Sequence, residues 1–508
     1  MLTVKRYAIP IVFVLAKFFL TYTLINAAYD LHRDEYLHLD QANHLAWGYM
    51  SVPPVTSWIS YLIQLLGNDV FWVKFFPALF GSLTLIVVWK AIISLGGNLY
   101  AQLLGLSAVL FSALLRIDLL YQPNSFDVLA WTSFLYITIQ YLNTNHSKYI
   151  YFGALIFAFG FLNKYNIGFL MAGLFPAIVF SKYRTIFLKK DFYIALGIAL
   201  IIILPNIVWQ FQNDLPVLVH MKELVATQLV NVSRTNFLKE QLLFFTGGLP
   251  ILLAAIIGLI SFEPLRKLRP LLLTLIIVLA IFTYLKAKAY YAIGLYPIFL
   301  GIGAVYIESI WKSSWKRHLR PVLILLSVLV FSQMFKVVFP NKTPDYIQSH
   351  PKWYEKLGLL RWEDGKNHAI PQDFADMLGW KELAHKVDSV YKSIDTNHSP
   401  FIICDNYGQA GAINYYSKIR SVKANSFDAD YLNWMDTTTP IHTVIMIEDA
   451  SEDINDHKNE ERLFEKVSLV DSISSPFARE RGTRIYLLER NKTDVRGELA
   501  GEVRKRRS

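Results

Sequence analysis

Cysteine is almost absent. Cys404 is the only one, so no intrachain disulfide can form and cysteine usage says nothing about the redox compartment. The short motifs of nucleotide and zinc chemistry are missing too: there is no Walker A loop, no GxGxxG between a strand and a helix, no HExxH and no CxxC pair. ATP-driven transport and nucleotide-cofactor chemistry therefore have no motif behind them. Charge is scarce, at 18% of 508 residues, and mean hydropathy is +0.33. That is too apolar for an ordinary soluble chain of this size. The net charge of +10 is scattered in short clusters between apolar runs. Such a pattern suits membrane orientation and argues against a nucleic-acid partner. No internal repeat and no low-complexity segment stands out.

What is present is a series of apolar stretches of the length a bilayer core demands, about 20 residues each. Candidate spans fall at 8–28, 70–90, 101–118, 127–142, 149–163, 167–181, 192–211, 241–262, 270–285, 290–310 and 321–339. The first mimics a signal peptide, but its apolar run is longer than an h-region and further spans follow, so it reads as an uncleaved helix. Lys17 inside it is expected to snorkel or to meet a polar partner in the bundle. With the N-terminus in the cytoplasm, the inside loops hold Lys5, Arg6, Lys90, Lys148, Lys182, Arg184, Lys189, Lys190, Arg266, Lys267, Arg269, Lys312, Lys316, Arg317 and Arg320, and few acids. The opposite side collects Asp30, Asp34, Glu35, Asp40, Asp118 and Asp127. The positive-inside rule then gives one consistent orientation, with Arg33, Lys164, Lys286 and Lys288 among the basic residues left on the outer side.

Residues 1–340 thus read as a membrane domain containing a first outer loop at 29–69. Residues 341–495 read as a soluble α/β domain, with short β-like runs at 401–404, 442–447 and 484–488 and helical patterns at 373–393 and 408–417. Residues 496–508 read as a disordered basic tail.

Four stretches carry candidate chemistry. The first is Asp30–Trp58, dense in ionisable groups: Asp30, His32, Arg33, Asp34, Glu35, His38, Asp40 and His44. Acids beside a membrane are costly unless they face water or a site, so the stretch is either a solvated loop or a place of chemistry. Tyr36, Leu39, Ala42 and Ala46 form an apolar stripe at helical spacing, which predicts an interfacial helix on the membrane surface. Asp34 and His38 are four apart and share a face. A divalent metal ion on Asp34, Glu35 and His38 is chemically reasonable, but no complete ligand set is visible. The second stretch is Arg116–Asp127, where Asp127 also fits a plain helix-start charge. The third is Phe161–Ile167, with Lys164 between two helices. The fourth is Leu285–Pro297, with Lys286 and Lys288 ending one span and Tyr290 and Tyr291 opening the next. Lysines on the side the positive-inside rule disfavours call for a reason, and an anionic phosphate ligand supplies one.

In this order the stretches resemble the GT-C class of membrane-embedded glycosyltransferases, more narrowly glycosyltransferase family 39, which includes protein O-mannosyltransferases, and the related lipid A aminoarabinose transferases. The likeness rests on DEYLHLDQANHLAWGYMSVPP from Asp34, Ser125-Phe-Asp127, Phe161-Leu-Asn-Lys-Tyr165, Leu204-Pro-Asn-Ile-Val-Trp-Gln210, Lys239-Glu-Gln-Leu-Leu243 and Lys288-Ala-Tyr-Tyr-Ala…Tyr-Pro297. Asn406–Tyr416 is similar to a segment of the bacterial members' outer domain. One departure is Asn124-Ser-Phe-Asp127 in place of a small-residue Thr-Pro-Asp.

The resemblance implies a polytopic helical bundle of about eleven transmembrane helices with an outer α/β domain, in a bacterial inner membrane, with active site and C-terminal domain on the periplasmic side. It implies a polyprenyl-phosphate sugar donor, a protein, lipid A or surface-glycan acceptor, and transfer with inversion. Asp34 would be the general base, Glu35 would support the site, and Asp127 would orient donor or acceptor. Lys164, Lys286 or Lys288 would hold the donor phosphate. Arg33, Tyr36, His38, Tyr290 and Tyr291 would line the substrate site. A transporter or flippase for a lipid-linked sugar is the alternative. Such proteins show repeated halves and helices broken at mid-membrane depth, and no repeat is seen.

Overall fold

The structure is a computed structural model that describes residues 2–507 except 228–231, 312–314, 395–398 and 455–456. Lys312 and the side chains of Lys5, Arg6, Lys316 and Arg317 lie outside the described residues. The chain forms two compact units. One holds residues 1–24, 46–59 and 71–339; the other holds 25–45, 60–70 and 340–508. The first outer loop is therefore divided, and its acidic part belongs with the C-terminal domain.

The first unit is helical. Each stretch read as a span is mostly helical, but among the described residues three helices are long and apolar enough to cross a membrane by themselves: Val70–Ser94, Lys190–Gln212 and Ala289–Ile310. Two bent pairs raise the number to five: Ile167–Val179 with Lys182–Leu188, and Arg234–Leu243 with Thr246–Ser261. The expected eleven crossings are not reached on length and composition. Several of the remaining apolar helices, such as Leu99–Leu110 and Arg269–Tyr284, are shorter, and 1.5 Å of rise per residue leaves them under the bilayer core thickness.

Small residues let the helices approach. A Cβ at Gly303 would lie 1.9 Å from the carbonyl oxygen of Ile251, so helix Tyr296–Ile310 meets helix Leu249–Ser261 backbone to backbone there. Lys17 has a partner within the bundle: its Nζ donates to Asp118 at 2.6 Å, and both side chains are buried.

The second unit is built on a five-stranded sheet of order β2-β1-β3-β5-β4. The strands are β1 Phe401–Cys404, β2 Ala424–Ser426, β3 Thr443–Glu448, β4 Phe464–Ser472 and β5 Arg484–Asn491. β1 runs parallel to β2 and β3; β5 is antiparallel to β3 and β4. The predicted helix at 373–393 is two helices, Gln372–Ala375 and Trp380–Ser393, parted at Gly379, whose φ is +87°. Asp30 accepts from the backbone N–H groups of Trp380 and Lys381 and pairs with the Lys381 ammonium at 2.9 Å, charging the start of that helix.

The tail read as disordered is a helix, Val495–Arg507. Val503 is buried in a cluster with Leu432 and Met435, and Arg507 donates to the Leu432 carbonyl at 2.8 Å. Its basic last turn matches the negative helix end; in sequence that run has the composition of a solvated tail.

Candidate functional site

In the second unit, the short helix Arg33–Asp40 carries the acids of the first stretch. A capping box starts it: the His32 side chain accepts from the Asp34 N–H, and the Glu35 carboxylate accepts from the His32 N–H at 2.7 Å. Glu35 is fully buried, so its carboxylate builds the turn that presents Asp34.

The stripe on this helix does not face lipid. Tyr36, Leu39 and Ala42 are buried within the unit, and the Tyr36 ring packs on Trp380, Tyr415 and Tyr416. An aromatic stripe at helical spacing looks the same whether it meets a bilayer or a neighbouring helix. The neighbour is helix Tyr407–Tyr416, and Gly411 permits the contact: a Cβ there would sit 2.7 Å from Tyr36 Cβ.

The polar residues of the two helices interlock. Asp40 accepts from Asn414 and from the Tyr431 hydroxyl, both at 2.7 Å. The Asp34 carboxylate accepts from the Tyr407 hydroxyl at 2.6 Å. The Arg33 guanidinium lies 4.7 Å over the Tyr407 ring. His38 is buried with Nδ1 3.4 Å from Gln41 Oε1.

Among these acids Asp34 keeps exposure, with 37% of its side chain accessible. Surrounding protein pushes its carboxyl up, but His32 when charged, the Tyr407 hydrogen bond and Arg33 together outweigh that and hold it below the usual value. Among the described residues no group of three or more His, Cys, Asp or Glu side chains is placed to hold a metal ion. Asp34, Glu35 and His38 thus do not form a ligand set, because Glu35 turns back to the helix cap and His38 turns to Gln41.

In the first unit, the other three stretches meet. Helix Pro123–Thr144 begins in the second stretch, and the break between helices Lys148–Asn163 and Ile167–Val179 is the third. They are zipped together by three bonds. Asn163 donates to the Pro123 carbonyl at 2.8 Å, Lys164 Nζ to Asn124 Oδ1 at 2.7 Å, and Asn166 to Asp127 Oδ2 at 2.9 Å.

The second oxygen of Asp127 accepts from Trp131 Nε1 at 3.0 Å. Asp127 is buried, and both its oxygens are engaged in holding the break that bears Lys164.

The fourth stretch closes over that break. Asn166 also donates to the Tyr291 carbonyl at 2.9 Å. Lys164 Nζ lies 5.1 Å from the Tyr290 ring centre and 4.5 Å from that of Tyr291. Burial lowers the Lys164 ammonium to about 8; Asp127 opposes the shift and the charge of Lys288 adds to it. Lys288, at the start of the Ala289–Leu295 turn, is therefore the lysine whose field reaches Lys164. Lys286 precedes it in left-handed backbone, φ +54°.

One ammonium framed by two tyrosine rings, with the charge of a second lysine reaching it, has the chemistry of an anion receptor. Sequence reading did not single out Tyr407, Asn124, Asn166 or Trp131. The asparagines at 163 and 166 flanking Lys164 were the available signal: amides at a helix break have backbone and carboxylate groups to satisfy. Asn166→Ala would leave an oxygen of Asp127 and the Tyr291 carbonyl without this donor. It should lower stability by about 1–3 kcal/mol, read as a reduced Tm of the detergent-solubilised protein; an unchanged Tm would count against the zipped break.

Residues 51–209 match the family described as dolichyl-phosphate-mannose-protein mannosyltransferase. No curated protein sequence matches the chain. Among solved structures, ArnT from Cupriavidus metallidurans bound to undecaprenyl phosphate is similar over 94% of this chain and 97% of its own, with TM-score 0.59 and 11% identity. Its apo state covers the same shares with TM-score 0.58 and 11% identity. The apo oligosaccharyltransferase of Archaeoglobus fulgidus is matched over 81% of this chain and 64% of its own, with TM-score 0.43 and 11% identity. The likeness to ArnT extends over both units, and with the family match it identifies the chain as having the fold of the GT-C membrane glycosyltransferases.

Proposed function

We propose that this integral-membrane protein transfers a sugar from a polyprenyl-phosphate donor to a hydroxyl or phosphate acceptor on the extracytoplasmic face, with inversion. The observation that carries the reading is the Lys164 centre: an ammonium lowered to about 8, a second lysine near it and two tyrosine rings around it. A phosphate that is both the donor's anchor and its leaving group needs such a group, since its charge grows as the glycosidic bond breaks. Similarity to an ArnT structure that holds undecaprenyl phosphate supports this donor class. The scatter of cationic loops supports placing the donor face away from the cytoplasm.

In this reading Asp34 takes the proton of the acceptor hydroxyl. The acceptor oxygen attacks the anomeric carbon, the bond to the phosphate oxygen breaks, and polyprenyl phosphate leaves with the electron pair. Lys164 and Lys288 balance its charge. No covalent intermediate is required. The lowered carboxyl of Asp34 keeps the proton-accepting form fully populated at neutral pH, at some cost in basicity.

Purified protein incubated with a labelled polyprenyl-phosphate sugar and candidate acceptors should release free polyprenyl phosphate. A flippase would move the intact donor between leaflets of a vesicle and release none.

Two pH profiles refine the roles. Because Lys164 loses its charge as pH rises through about 8, kcat/KM should fall on an alkaline limb there. Lys164→Arg, which stays charged, should carry activity past that limb, while Lys164→Ala should lose about 100- to 1000-fold at all pH. An unmoved limb in the arginine variant would remove Lys164 from the phosphate role.

Tyr407→Phe removes a hydrogen bond that favours the charged form of Asp34. The Asp34 carboxyl should rise, so the acid limb of kcat/KM should move to higher pH. An unchanged acid limb with altered kcat alone would contradict this.

A further inference from the structure

A second cationic site lies at the other end of the helical unit. Helix Ile167–Val179 packs antiparallel along helix Arg269–Tyr284: the Phe169 and Phe282 rings are 4.9 Å apart, and a Cβ on Gly173 would sit 2.5 Å from Val278 and 3.0 Å from the Thr274 carbonyl oxygen. Lys164 precedes the first helix, and Lys288 follows the second. The opposite ends of the same two helices open into a cleft of about 730 Å³, lined by Ala177 and 180–183 on one side and by residues between Glu263 and Leu273 on the other. The 13 residues of the first helix put roughly 20 Å of helix between this cleft and the Lys164 centre, at 1.5 Å per residue. The two cannot be one site.

The cleft has a cationic rim and an apolar wall. Lys182, Arg266, Lys267 and Arg269 line it against one acid, Glu263. Arg266 pairs with Glu263, and Arg269 donates to the carbonyls of Leu259 and Ile260 at the end of the preceding helix. Lys182 and Lys267 have no acidic partner among the described residues. Loop lysines drawn inward by the positive-inside rule would account for charge, but not for a cleft that concentrates it beside Phe180, Pro270 and Leu273. Phe180 is 83% exposed at the bend of 108° where the chain leaves the helix. An exposed phenylalanine next to ammonium groups without acidic partners, one of them 5.3 Å from the Tyr183 ring centre, complements a molecule with a charged head and an acyl chain.

We propose that this cleft binds the phosphate headgroup of an anionic phospholipid, with Lys182 and Lys267 on the phosphate and Phe180 against the chain. Such a lipid would brace the bend between Ile167–Val179 and Lys182–Leu188 against the start of Arg269–Tyr284. The inference needs only that the chain sits in a membrane, and stands apart from the transfer reaction.

The test uses the full chain in detergent, by native mass spectrometry and by thermal unfolding with added phosphatidylglycerol or phosphatidylcholine. Phosphatidylglycerol should be retained at least ten-fold better than phosphatidylcholine and should raise Tm. Lys182→Ala combined with Lys267→Ala should abolish both the preference and the Tm rise, while Lys164→Ala keeps them. Tm in phosphatidylcholine alone shows whether the double variant is folded; if it is not, Lys182→Gln and Lys267→Gln singly should each reduce the preference. Equal retention of the two lipids, a preference that survives all these substitutions, or displacement by millimolar inorganic phosphate would overturn the proposal, the last by showing a site for free anions.

Discussion

The polar half of the helical unit depends on one buried carboxylate with both oxygens occupied. Asp127 receives Trp131 from its own helix and Asn166 from the break in another. A charge in that position is tolerable only when its lone pairs are filled. Filling them fixes the break, and the break fixes where Lys164 stands. Asn163 and Lys164 add two bonds of the same kind to Pro123 and Asn124. Three consecutive contacts between two polar interruptions explain why charged and amide residues can sit among apolar helices. Each interruption satisfies the other.

The second unit follows the same economy with different parts. Most of its acids near the first helix have structural tasks. Asp30 starts a helix, Glu35 closes a capping box and Asp40 joins two helices through Asn414 and Tyr431. Asp34 has a hydroxyl donor, an arginine beside it and residual access to solvent. Its neighbours keep it ionised, while theirs are spent on architecture. This division distinguishes a candidate reacting group from seven other ionisable residues in the same short stretch.

Much of this was legible in the residues, and the gaps have physical causes. Apolar runs located the helices because burial in lipid or in a bundle imposes the same composition. That is also why eleven apolar runs go with three helices long enough, among the described residues, to cross by themselves. Strands β1, β3 and β5 showed as apolar runs, whereas β2 is only Ala424–Ser426 and β4 is largely exposed, so neither has an apolar signature. The stripe of Tyr36 and Leu39 was real, but its partner was a helix almost four hundred residues later in the chain, which spacing cannot reveal. Asp34, Lys164 and Lys288 stood out as misplaced charge. Tyr407 was not, because an isolated tyrosine before a glycine carries no sign of the carboxylate it will meet.

The central claim is that Asp34 accepts the acceptor's proton during sugar transfer. It is tested most directly by comparing Asp34→Asn with the unaltered protein for release of polyprenyl phosphate, alongside binding of the donor. Loss of a general base should cut turnover by about 10²- to 10⁴-fold while donor binding and membrane insertion persist. Near-normal turnover in that variant would contradict the account.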